Sequence, residues 1–344
     1  MGLPKECELQ LENRYARGEK NLITDVPGVR VGHHVTLNDD DKDVHTGVTA
    51  VLPHSGNLFK DKVTAGVSVI NGFGKSTGLI QVEELGTIET PIIMTNTFGV
   101  GTSLNALTKY MLERNEDIGV STSTVNCMVT ECNDGELNDI RGMHITEEDV
   151  REALDTAGAD FKEGAVGGGR GMICMGKKGG IGSASRIVEF DGKSYTVGAI
   201  VMSNFGVLGN LRIDGRRIFV PEKRDGAADK GSIIMIIGTD LPLSDRQLRR
   251  VAKRTAASLG RVGSYLGTGS GDIAIAFSNG NIVPHYSDTK VLPCEYLFEN
   301  DMDTVFEATV EVVEESIVSS LYHSESMTGI RGKTVHGLKD YLLK

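Results

Sequence analysis

Short apolar strand-like segments alternate with helix-like segments along the chain, and this alternation limits the folds open to it. The strand-like segments have apolar residues on both faces, so both faces of a sheet must be covered. With 344 residues and no repeat of fixed period, the chain predicts one compact α/β domain of two layered sheets flanked by helices. The predicted strands are 46–52, 63–70, 91–95 and 273–277; the predicted helices are 77–86, 99–113, 146–157, 244–259 and 302–320.

Local patterns add four expectations. Residues 21–37 alternate in strand fashion around a Pro-Gly turn, and Asp191-Gly192 predicts a hairpin turn between two strands. The small residues 179–185 predict a flexible segment. The last long helix carries a row of acids that reads as a solvated face: Asp303, Glu307, Glu311, Glu314 and Glu315.

Composition narrows the classes of function. The net charge of −11 gives no electrostatic reason to expect nucleic acid. No run approaches the roughly 18 apolar residues that span a bilayer, and residues 1–20 lack the apolar core of a signal peptide. The five cysteines are scattered without a CxxC pair, which is typical of free thiols in a reducing compartment. We therefore expect a cytoplasmic protein with neither a nucleic-acid nor a membrane partner.

Several familiar motifs fail when their spacing is checked. Gly74-Lys75-Ser76 would need a glycine at position 69 to form a P-loop, and Val69 stands there. The glycine run at 167–171 does not extend into GxGxxG and is better explained by a tight turn. His33-His34 lacks the spacing of HExxH, so we predict no metal site.

Gly231-Ser232 stands where the charged stretch 222–230 meets the buried-looking strand 233–237. A serine at such an edge is either an ordinary strand-edge residue after a loop glycine or the concealed N-terminus of a self-cleaving hydrolase. If the chain breaks before Ser232, the serine gains an α-amine with a pKa of roughly 7.7–8.0. Nucleophile and base would then share one residue.

Three further segments have both a chemical and a structural interpretation. In the small-residue loop 267–272, Ser270 and Asp272 are two residues apart, so an extended backbone points both to one face. Glu131 follows an apolar segment and could pair with a substrate ammonium. Asn204 follows another and could donate to an oxyanion. Each segment taken alone is also explained by a turn.

Taken in order, these segments resemble one family. The chain is similar to the L-aminopeptidase/D-esterases and β-peptidyl aminopeptidases, which are self-processing serine N-terminal hydrolases. The matching elements run nearly end to end: Ile23-Thr24-Asp25-Val26-Pro27-Gly28-Val29-Arg30-Val31-Gly32-His33, Asn71-Gly72-Phe73-Gly74-Lys75, Gly179-Gly180-Ile181-Gly182-Ser183-Ala184-Ser185-Arg186, Asn204-Phe205-Gly206, Gly231-Ser232-Ile233-Ile234 and Gly269-Ser270-Gly271-Asp272.

The resemblance implies a four-layer α-β-β-α sandwich, like that of N-terminal nucleophile hydrolases but with its own topology. It implies cleavage between Gly231 and Ser232 into residues 1–231 and 232–344, and a homo-oligomer such as a tetramer. The roles it implies are these: Ser232 as nucleophile, Ser270 and Asp272 as its assistants, Asn204 as oxyanion donor, Glu131 as the acid that holds the substrate amine, and Asn133 as a substrate-binding position where some members carry a tyrosine.

The implied activity is hydrolysis of small peptides, amides or esters through an acyl-enzyme, with no metal or organic cofactor. Two alternatives stay open at the level of sequence. One keeps the fold and self-cleavage but acts as an endo-amidase on oligoamides, or as an acyltransferase like the ornithine acetyltransferases. The other is an unprocessed, non-catalytic binding or scaffold protein. The preference among L-, D- and β-aminoacyl substrates is also open.

Overall fold

The computed structural model describes residues 11–36, 43–218 and 230–342. Within these ranges there are six α-helices: α1 (Leu79–Leu85), α2 (Val100–Arg114), α3 (Glu147–Asp155), α4 (Asp245–Arg261), α5 (Met302–Tyr322) and α6 (Lys339–Leu342). The same ranges contain sixteen strands: β1 (Arg30–Thr36), β2 (Thr46–Leu52), β3 (Asp61–Gly72), β4 (Thr87–Ile88), β5 (Ile92–Asn96), β6 (Met128–Cys132), β7 (Ile173–Cys174), β8 (Lys177–Lys178), β9 (Gly180–Phe190), β10 (Lys193–Asn204), β11 (Arg212–Ile213), β12 (Arg216–Arg217), β13 (Lys230–Thr239), β14 (Gly269–Pro284), β15 (Met327–Thr328) and β16 (Thr334–Val335).

Two sheets form the centre of the molecule. The smaller has the order β1-β2-β5-β6 and the larger has the order β4-β3-β14-β13-β10-β9. In the larger sheet β13 runs parallel to β14 and antiparallel to β10. The strand that contains Ser232 therefore lies between two long partners, so its backbone is held on both sides.

The sheets are stacked and each outer face is covered by helices, which confirms the four-layer α-β-β-α sandwich. Helices α2 and α3 pack on the smaller sheet, and α4 and α5 pack on the larger one. Side chains such as Met94, Ile200 and Ile234 fill the space between the sheets. The opposite face of the larger sheet, with Ile233 and Met235, packs against α4 and α5. Alternate residues of β13 thus serve two cores, because side chains alternate along a strand.

Sequence signals fixed several element boundaries correctly. Thr146 caps α3 by accepting a hydrogen bond from the Asp149 amide, as its position before three acidic residues predicts. Asp191 and Gly192 both have positive φ, which is the geometry of a type I′ hairpin turn between β9 and β10.

The first arm of the segment 21–37 is not a strand. Residues Ile23–Asp25 form a 3₁₀ turn, and the strand begins only at Arg30. The Asp25 carboxylate accepts hydrogen bonds from the backbone amides of Lys20 and Leu22 at 3.0 and 3.1 Å. These bonds draw the chain into a turn, and the alternation of apolar residues does not report them.

The prediction of flexibility for 179–185 is wrong. Residues 180–186 are buried in β9, and β9 pairs with β10 over its whole length. Small residues are needed there because α5 crosses closely: a Cβ on Gly182 would lie 1.9 Å from the Ser316 carbonyl oxygen. Close packing of backbones explains the composition of this strand.

The solvated acidic face predicted for the last long helix is also wrong. Three of its acids, Glu311, Glu314 and Glu315, are buried in α5. The fully buried Arg186 guanidinium of β9 bonds both Glu311 and Glu315. The pattern of acids on one helix could not reveal this partner, which lies 125 or more residues away in sequence.

Two further observations concern composition. Among the described residues, no helix is both long enough and apolar enough to cross a membrane. Four cysteines lie in the described ranges and are free thiols: Cys127, Cys132 and Cys174 are buried, and Cys294 is exposed.

Candidate active site

Ser232 lies at the beginning of β13 in a cavity of about 1480 Å³. Its Oγ donates a hydrogen bond of 2.6 Å to the carbonyl oxygen of Gly231, the residue before it. Gly231 has a φ of +144°, and a Cβ at this position would lie 2.0 Å from the Asn204 carbonyl oxygen. Only glycine fits this backbone and this approach. The charged stretch that the sequence places before the strand lies, at 222–229, outside the described residues.

Asn204 is the last residue of β10 and is paired directly with Ser232 across the two strands. Directly opposed residues on antiparallel strands have side chains on the same face with Cβ atoms about 4.5–5.5 Å apart. Both residues line the cavity. The Asn204 amide is held at each end: its Oδ1 accepts from the Ile173 amide at 2.8 Å, and its Nδ2 donates to the Asn133 carbonyl oxygen at 2.9 Å. An amide nitrogen carries two hydrogens, so one Nδ2–H remains for a reacting oxygen.

Ser270 and Asp272 are joined as their spacing predicts, with Ser270 Oγ donating to Asp272 Oδ1 at 2.6 Å. The prediction that they occupy a loop is wrong: β14 begins at Gly269, and both side chains are buried. The strand also reaches well beyond the predicted 273–277. Pairing with β13 on one side and with the end of β3 on the other keeps these small residues extended.

Gly271, between Ser270 and Asp272, faces Ser232. It is the partner of Ser232 in the parallel register, and a Cβ on Gly271 would lie 3.1 Å from Ser232 Oγ. Because side chains alternate, Ser270 and Asp272 project from the opposite face of β14. Ser270 is in turn the partner of Gly231. The Ser270–Gly271 peptide therefore runs beside the Gly231–Ser232 peptide, and the serine–aspartate pair approaches Ser232 from its backbone side.

Glu131 lies in β6 of the smaller sheet and lines the same cavity. Its Oε1 accepts from the Lys75 backbone amide at 2.9 Å, and its Oε2 accepts from the Thr97 hydroxyl. A carboxylate oxygen can accept more than one hydrogen bond. The two contacts orient the carboxylate and leave it able to receive a cationic donor from the cavity.

Asn133 lies on the cavity wall, but its side chain closes a turn. Its Oδ1 accepts from the Gly135 amide at 2.9 Å. This turn fixes the Asn133 carbonyl group, which receives the Asn204 hydrogen bond. The structure thus connects Asn133 to the site through its backbone.

Burial shifts the pKa of two groups near Glu131. Cys132, next to Glu131, has a thiol pKa raised well above its usual range, first by burial and then by the charges of Glu131 and Asp272. It is therefore a neutral core residue and no rival nucleophile. Burial likewise raises the pKa of the Asp134 carboxyl to about 6, although hydrogen bonds from Thr46, Asn138 and Asn96 oppose the rise.

Some residues of the site carry no signal in the sequence. Thr97 contacts Glu131 from the turn before α2. The segment 333–336 and Tyr341, near the end of the chain, form part of the cavity wall. No sequence motif marks Thr97 or these C-terminal residues, and the packing of distant segments brings them to the cavity. Among the described residues, no group of three or more His, Cys, Asp or Glu side chains is arranged to hold a metal ion.

Sequence comparisons place the chain among known peptidases. Residues 21–335 match peptidase family S58. The beta-peptidyl aminopeptidase BapA of Sphingosinicella microcystinivorans is 39% identical over 345 residues, covering 93% of this chain and 86% of the relative. The enzyme of the same name from Sphingosinicella xenopeptidilytica is 36% identical over 360 residues, covering 97% and 89%.

Solved structures agree with this placement. The PH0078 protein from Pyrococcus horikoshii OT3 is 49% identical with a TM-score of 0.92, covering 98% of this chain and 96% of that one. A Burkholderia sp. beta-aminopeptidase is 38% identical with a TM-score of 0.89 and the same coverage. The L-aminopeptidase D-Ala-esterase/amidase of Ochrobactrum anthropi, described as a serine aminopeptidase with a variant of the Ntn hydrolase fold, is 37% identical with a TM-score of 0.86, covering 97% and 95%. The chain therefore belongs to peptidase family S58 and is a hydrolase with a variant of the Ntn hydrolase fold.

Proposed function

We propose that this protein is a serine aminopeptidase that activates itself by cutting its own chain between Gly231 and Ser232. The observation that carries the proposal is the position of Ser232 Oγ, 2.6 Å from the Gly231 carbonyl oxygen in a cavity. A hydroxyl beside the preceding carbonyl needs little movement to attack it. The expected products are residues 1–231 and 232–344.

The first reaction rearranges the peptide bond. Ser232 Oγ attacks the Gly231 carbonyl carbon and loses its proton, the C–N bond breaks, and the nitrogen takes up a proton to become an α-amine. The resulting ester joins Gly231 to Ser232 Oγ, and water hydrolyses it to the Gly231 carboxylate and the free hydroxyl. The backbone neighbours of Ser232 in β10 and β14 hold the nucleophile in place after the cut.

The second reaction uses the same hydroxyl on a substrate. The new α-amine has a reference pKa of roughly 7.7–8.0, so it can take the Oγ proton near neutral pH. Oγ attacks the substrate carbonyl carbon, the C–N or C–O bond of the substrate breaks, and the leaving amine or alcohol takes up the proton. Water then hydrolyses the acyl-enzyme on Ser232 and restores the hydroxyl. We assign Ser270 and Asp272 to the amine side of this chemistry, because Ser270 is the register partner of Gly231, beside the bond that is cut.

Two residues of the cavity wall recognise the substrate. Asn204 offers an Nδ2–H to the tetrahedral oxyanion, a contact whose loss typically costs roughly 2.7–4 kcal/mol in the barrier. Glu131 binds the free amine of the substrate as a charge-assisted pair. A carboxylate already bonded on both oxygens is oriented for an ammonium before the substrate arrives. Asn133 supports the oxyanion side through its carbonyl group.

The substrate class is that of small peptides, amides or esters with a free N-terminal amine. The relatives are named for β-peptidyl aminopeptidase, L-aminopeptidase and D-Ala-esterase/amidase activities, so the substrates tested must include L-, D- and β-aminoacyl amides. The proposal also includes a homo-oligomer in the cytoplasm that acts without a metal or organic cofactor.

Two measurements on the purified protein test the proposal. Intact mass and N-terminal sequencing should give a smaller fragment that starts Ser-Ile-Ile-Met, while Ser232→Ala stays full-length. The processed enzyme should hydrolyse an aminoacyl amide far faster than its N-acetyl derivative, which lacks the charge that Glu131 binds. Cleavage of the Ser232→Ala chain at this bond would overturn the self-processing step. Equal rates on the two substrates would favour the endo-amidase, and faster release with added amines would favour the acyltransferase.

A further inference from the structure

Lys178 is a fully buried lysine in β8, beside the candidate active site. Its Nζ donates to three backbone carbonyl oxygens: Gly179 at 2.6 Å, Met172 at 2.7 Å and Gly169 at 3.3 Å. A buried lysine usually has a carboxylate within hydrogen-bond distance, or else other acceptors bond its N–H groups. Here Gly169 and Met172 precede β7 and Gly179 follows β8, so the acceptors lie at the two ends of the β7–β8 hairpin.

One of these carbonyl groups belongs to the peptide that holds Asn204. The Met172 carbonyl oxygen accepts from Lys178 Nζ at 2.7 Å, and the N–H of the same peptide, that of Ile173, donates to Asn204 Oδ1 at 2.8 Å. Ile173 and Lys178 are also direct partners in the β7–β8 pair. An unbroken chain of hydrogen bonds thus runs from the ammonium through one peptide to the amide of Asn204.

We propose that Lys178 is a positioning residue that polarises and orients Asn204 through the Met172–Ile173 peptide, making Asn204 Nδ2–H a stronger donor to the oxyanion. Linked hydrogen bonds strengthen one another, and a charged donor at the beginning of the chain has the largest effect. The Asn204 side chain cannot flip without facing its NH₂ group toward the Ile173 N–H. The inference rests on the proposed function, because it needs an oxyanion at Ser232.

The three contacts match the ammonium form of Lys178. Three carbonyl oxygens need three donors, and only the ammonium supplies three N–H groups. Burial lowers the pKa of Lys178 well below its usual range and the charge of Arg170 lowers it further, while the charges of Asp134 and Cys174 oppose this. The three carbonyl oxygens around Nζ are the groups that would hold an ammonium in this enclosed position.

A double-mutant cycle separates this role from a purely structural one. Lys178→Gln keeps a polar side chain but loses the charge. We expect it to lower kcat about tenfold with KM within about twofold, less than the 10²–10³-fold loss typical of removing an oxyanion donor. In the Asn204→Ala background the same change should alter kcat by less than about twofold. The hydrogen-bond chain from Lys178 then has no Asn204 amide to polarise. The rate of self-cleavage, followed on a denaturing gel, should show the same dependence.

The control is Lys62→Gln. Lys62 is another largely buried lysine that donates to a backbone carbonyl, that of Phe59 at 2.7 Å, and it pairs with Glu89 away from the cavity. It should lose stability with no change in kcat per processed molecule. Wild-type kcat in Lys178→Gln, an effect on KM alone, or a tenfold loss that persists in Asn204→Ala would each overturn the inference. A wild-type chain that neither cleaves nor hydrolyses any substrate would instead overturn the proposed function.

If Lys178→Gln does not fold, the wild-type chain supplies the test. In protein labelled with ¹⁵N-asparagine, the Nδ2 protons of Asn204 should resonate downfield of those of Asn279, since stronger hydrogen bonds deshield the proton. Asn279 is a stringent reference because its Nδ2 donates to two backbone carbonyl groups, those of Pro27 at 2.8 Å and Pro53 at 3.0 Å, with no lysine linked to its amide in the hydrogen bonds of the described residues. Asn204 protons at or upfield of the Asn279 position would overturn the proposal.

Discussion

Two regions of this peptidase bury polar and charged groups, and they differ in what those groups face. Ser232, near the beginning of β13, and Asn204, at the end of β10, line a cavity. Under α5, the Arg186 guanidinium is enclosed by protein and bonds Glu311, Glu315 and the Ser185 carbonyl oxygen. Arg17 and Asn21 add donors to Glu315 at 2.9 and 2.7 Å.

The contrast shows that burial of charge does not by itself mark a functional site. The Arg186 cluster uses its hydrogen-bonding capacity internally, so it stabilises the packing of β9, α5 and the segment before β1. In the Ser232 region, the Asn204 amide can still donate and the Glu131 carboxylate can still accept a hydrogen bond in the cavity. Breaking the first region should cost stability, and breaking the second should cost chemistry.

The largest effect is expected from Gly231→Ala. A Cβ at this position meets the Asn204 carbonyl oxygen at 2.0 Å on a backbone with φ of +144°. Ser232 should then lose its position against β10, and self-cleavage should stop. Gly192→Ala is the control: this glycine also has positive φ, +74°, but nothing lies within 4 Å of the added carbon. Densitometry of the two fragments checks both variants, and a Gly231→Ala chain processed at the wild-type rate would contradict the assigned geometry.

Arg186→Met should act on stability alone. Removing one partner of a buried ion pair leaves uncompensated charge and typically costs about 3–5 kcal/mol in the free energy of unfolding. The measurement is denaturant unfolding in the Ser232→Ala background, where the chain stays whole. Lys109→Met, which breaks an exposed pair with Glu147, should hardly shift the midpoint. A lower kcat per folded molecule in processed Arg186→Met would contradict a purely structural role for the Arg186 cluster.

Ser270→Ala should lower kcat by at least about 10²-fold, the lower end for general acid–base assistance. Because Ser270 is buried and bonded to Asp272, the variant should also lose some stability. Ser278→Ala is the matched control, since Ser278 is buried on the same strand and donates to the Leu241 carbonyl oxygen at 2.6 Å. It should lose similar stability and keep its kcat. Equal kcat in the two variants would remove Ser270 from the chemistry.

Glu131→Gln should raise KM for a free aminoacyl amide roughly 10- to 100-fold, from the 1.5–3 kcal/mol of a hydrogen bond to a charged group. Self-cleavage should continue, because it involves no external amine. Glu136→Gln, on the wall of the same cavity but paired with Lys333, should leave KM nearly unchanged. Steady-state kinetics distinguishes the two, and an unchanged KM in Glu131→Gln would assign the amine to another residue.

The smallest effect concerns His33, a partly buried residue of β1 that does not line the cavity. Burial lowers the pKa of its imidazole from 6.5 to about 4. Below pH 6.5 the unfolded chain binds a proton that the folded chain resists, so stability from this group falls as the pH drops from 6.5 toward 4. Denaturation midpoints at about pH 7.5 and about pH 4.5 should differ less in His33→Gln than in the wild type. If the two midpoints differ as much in His33→Gln as in the wild type, other groups cause the loss of stability at low pH.

The sequence predicted the layers of the fold, and it singled out Ser232, Asn204 and Glu131, which the structure brings to one cavity. Apolar strands, amphipathic helices and the caps at Thr146 and Asp191-Gly192 are local features, and the structure confirms them. The i, i+2 spacing of Ser270 and Asp272 predicted their hydrogen bond. The errors share one cause. Small or charged residues that suggest a loop or a surface in the sequence are covered by a distant element in the structure, as α5 covers Gly182.

By itself, then, the sequence determined what could be read within a short window: the periodicity of the elements, the Gly231-Ser232 junction and the ordered motifs that mark the family. Tertiary structure decided everything that depends on contacts between distant segments. It buried Glu311 and Glu315 against Arg186, placed Gly271 beside Ser232, and joined Lys178 to Asn204 through a peptide between them. The physical reason is that a side chain's charge, burial and hydrogen-bond partners are set by its neighbours in space, and those neighbours come together only when the sheets stack.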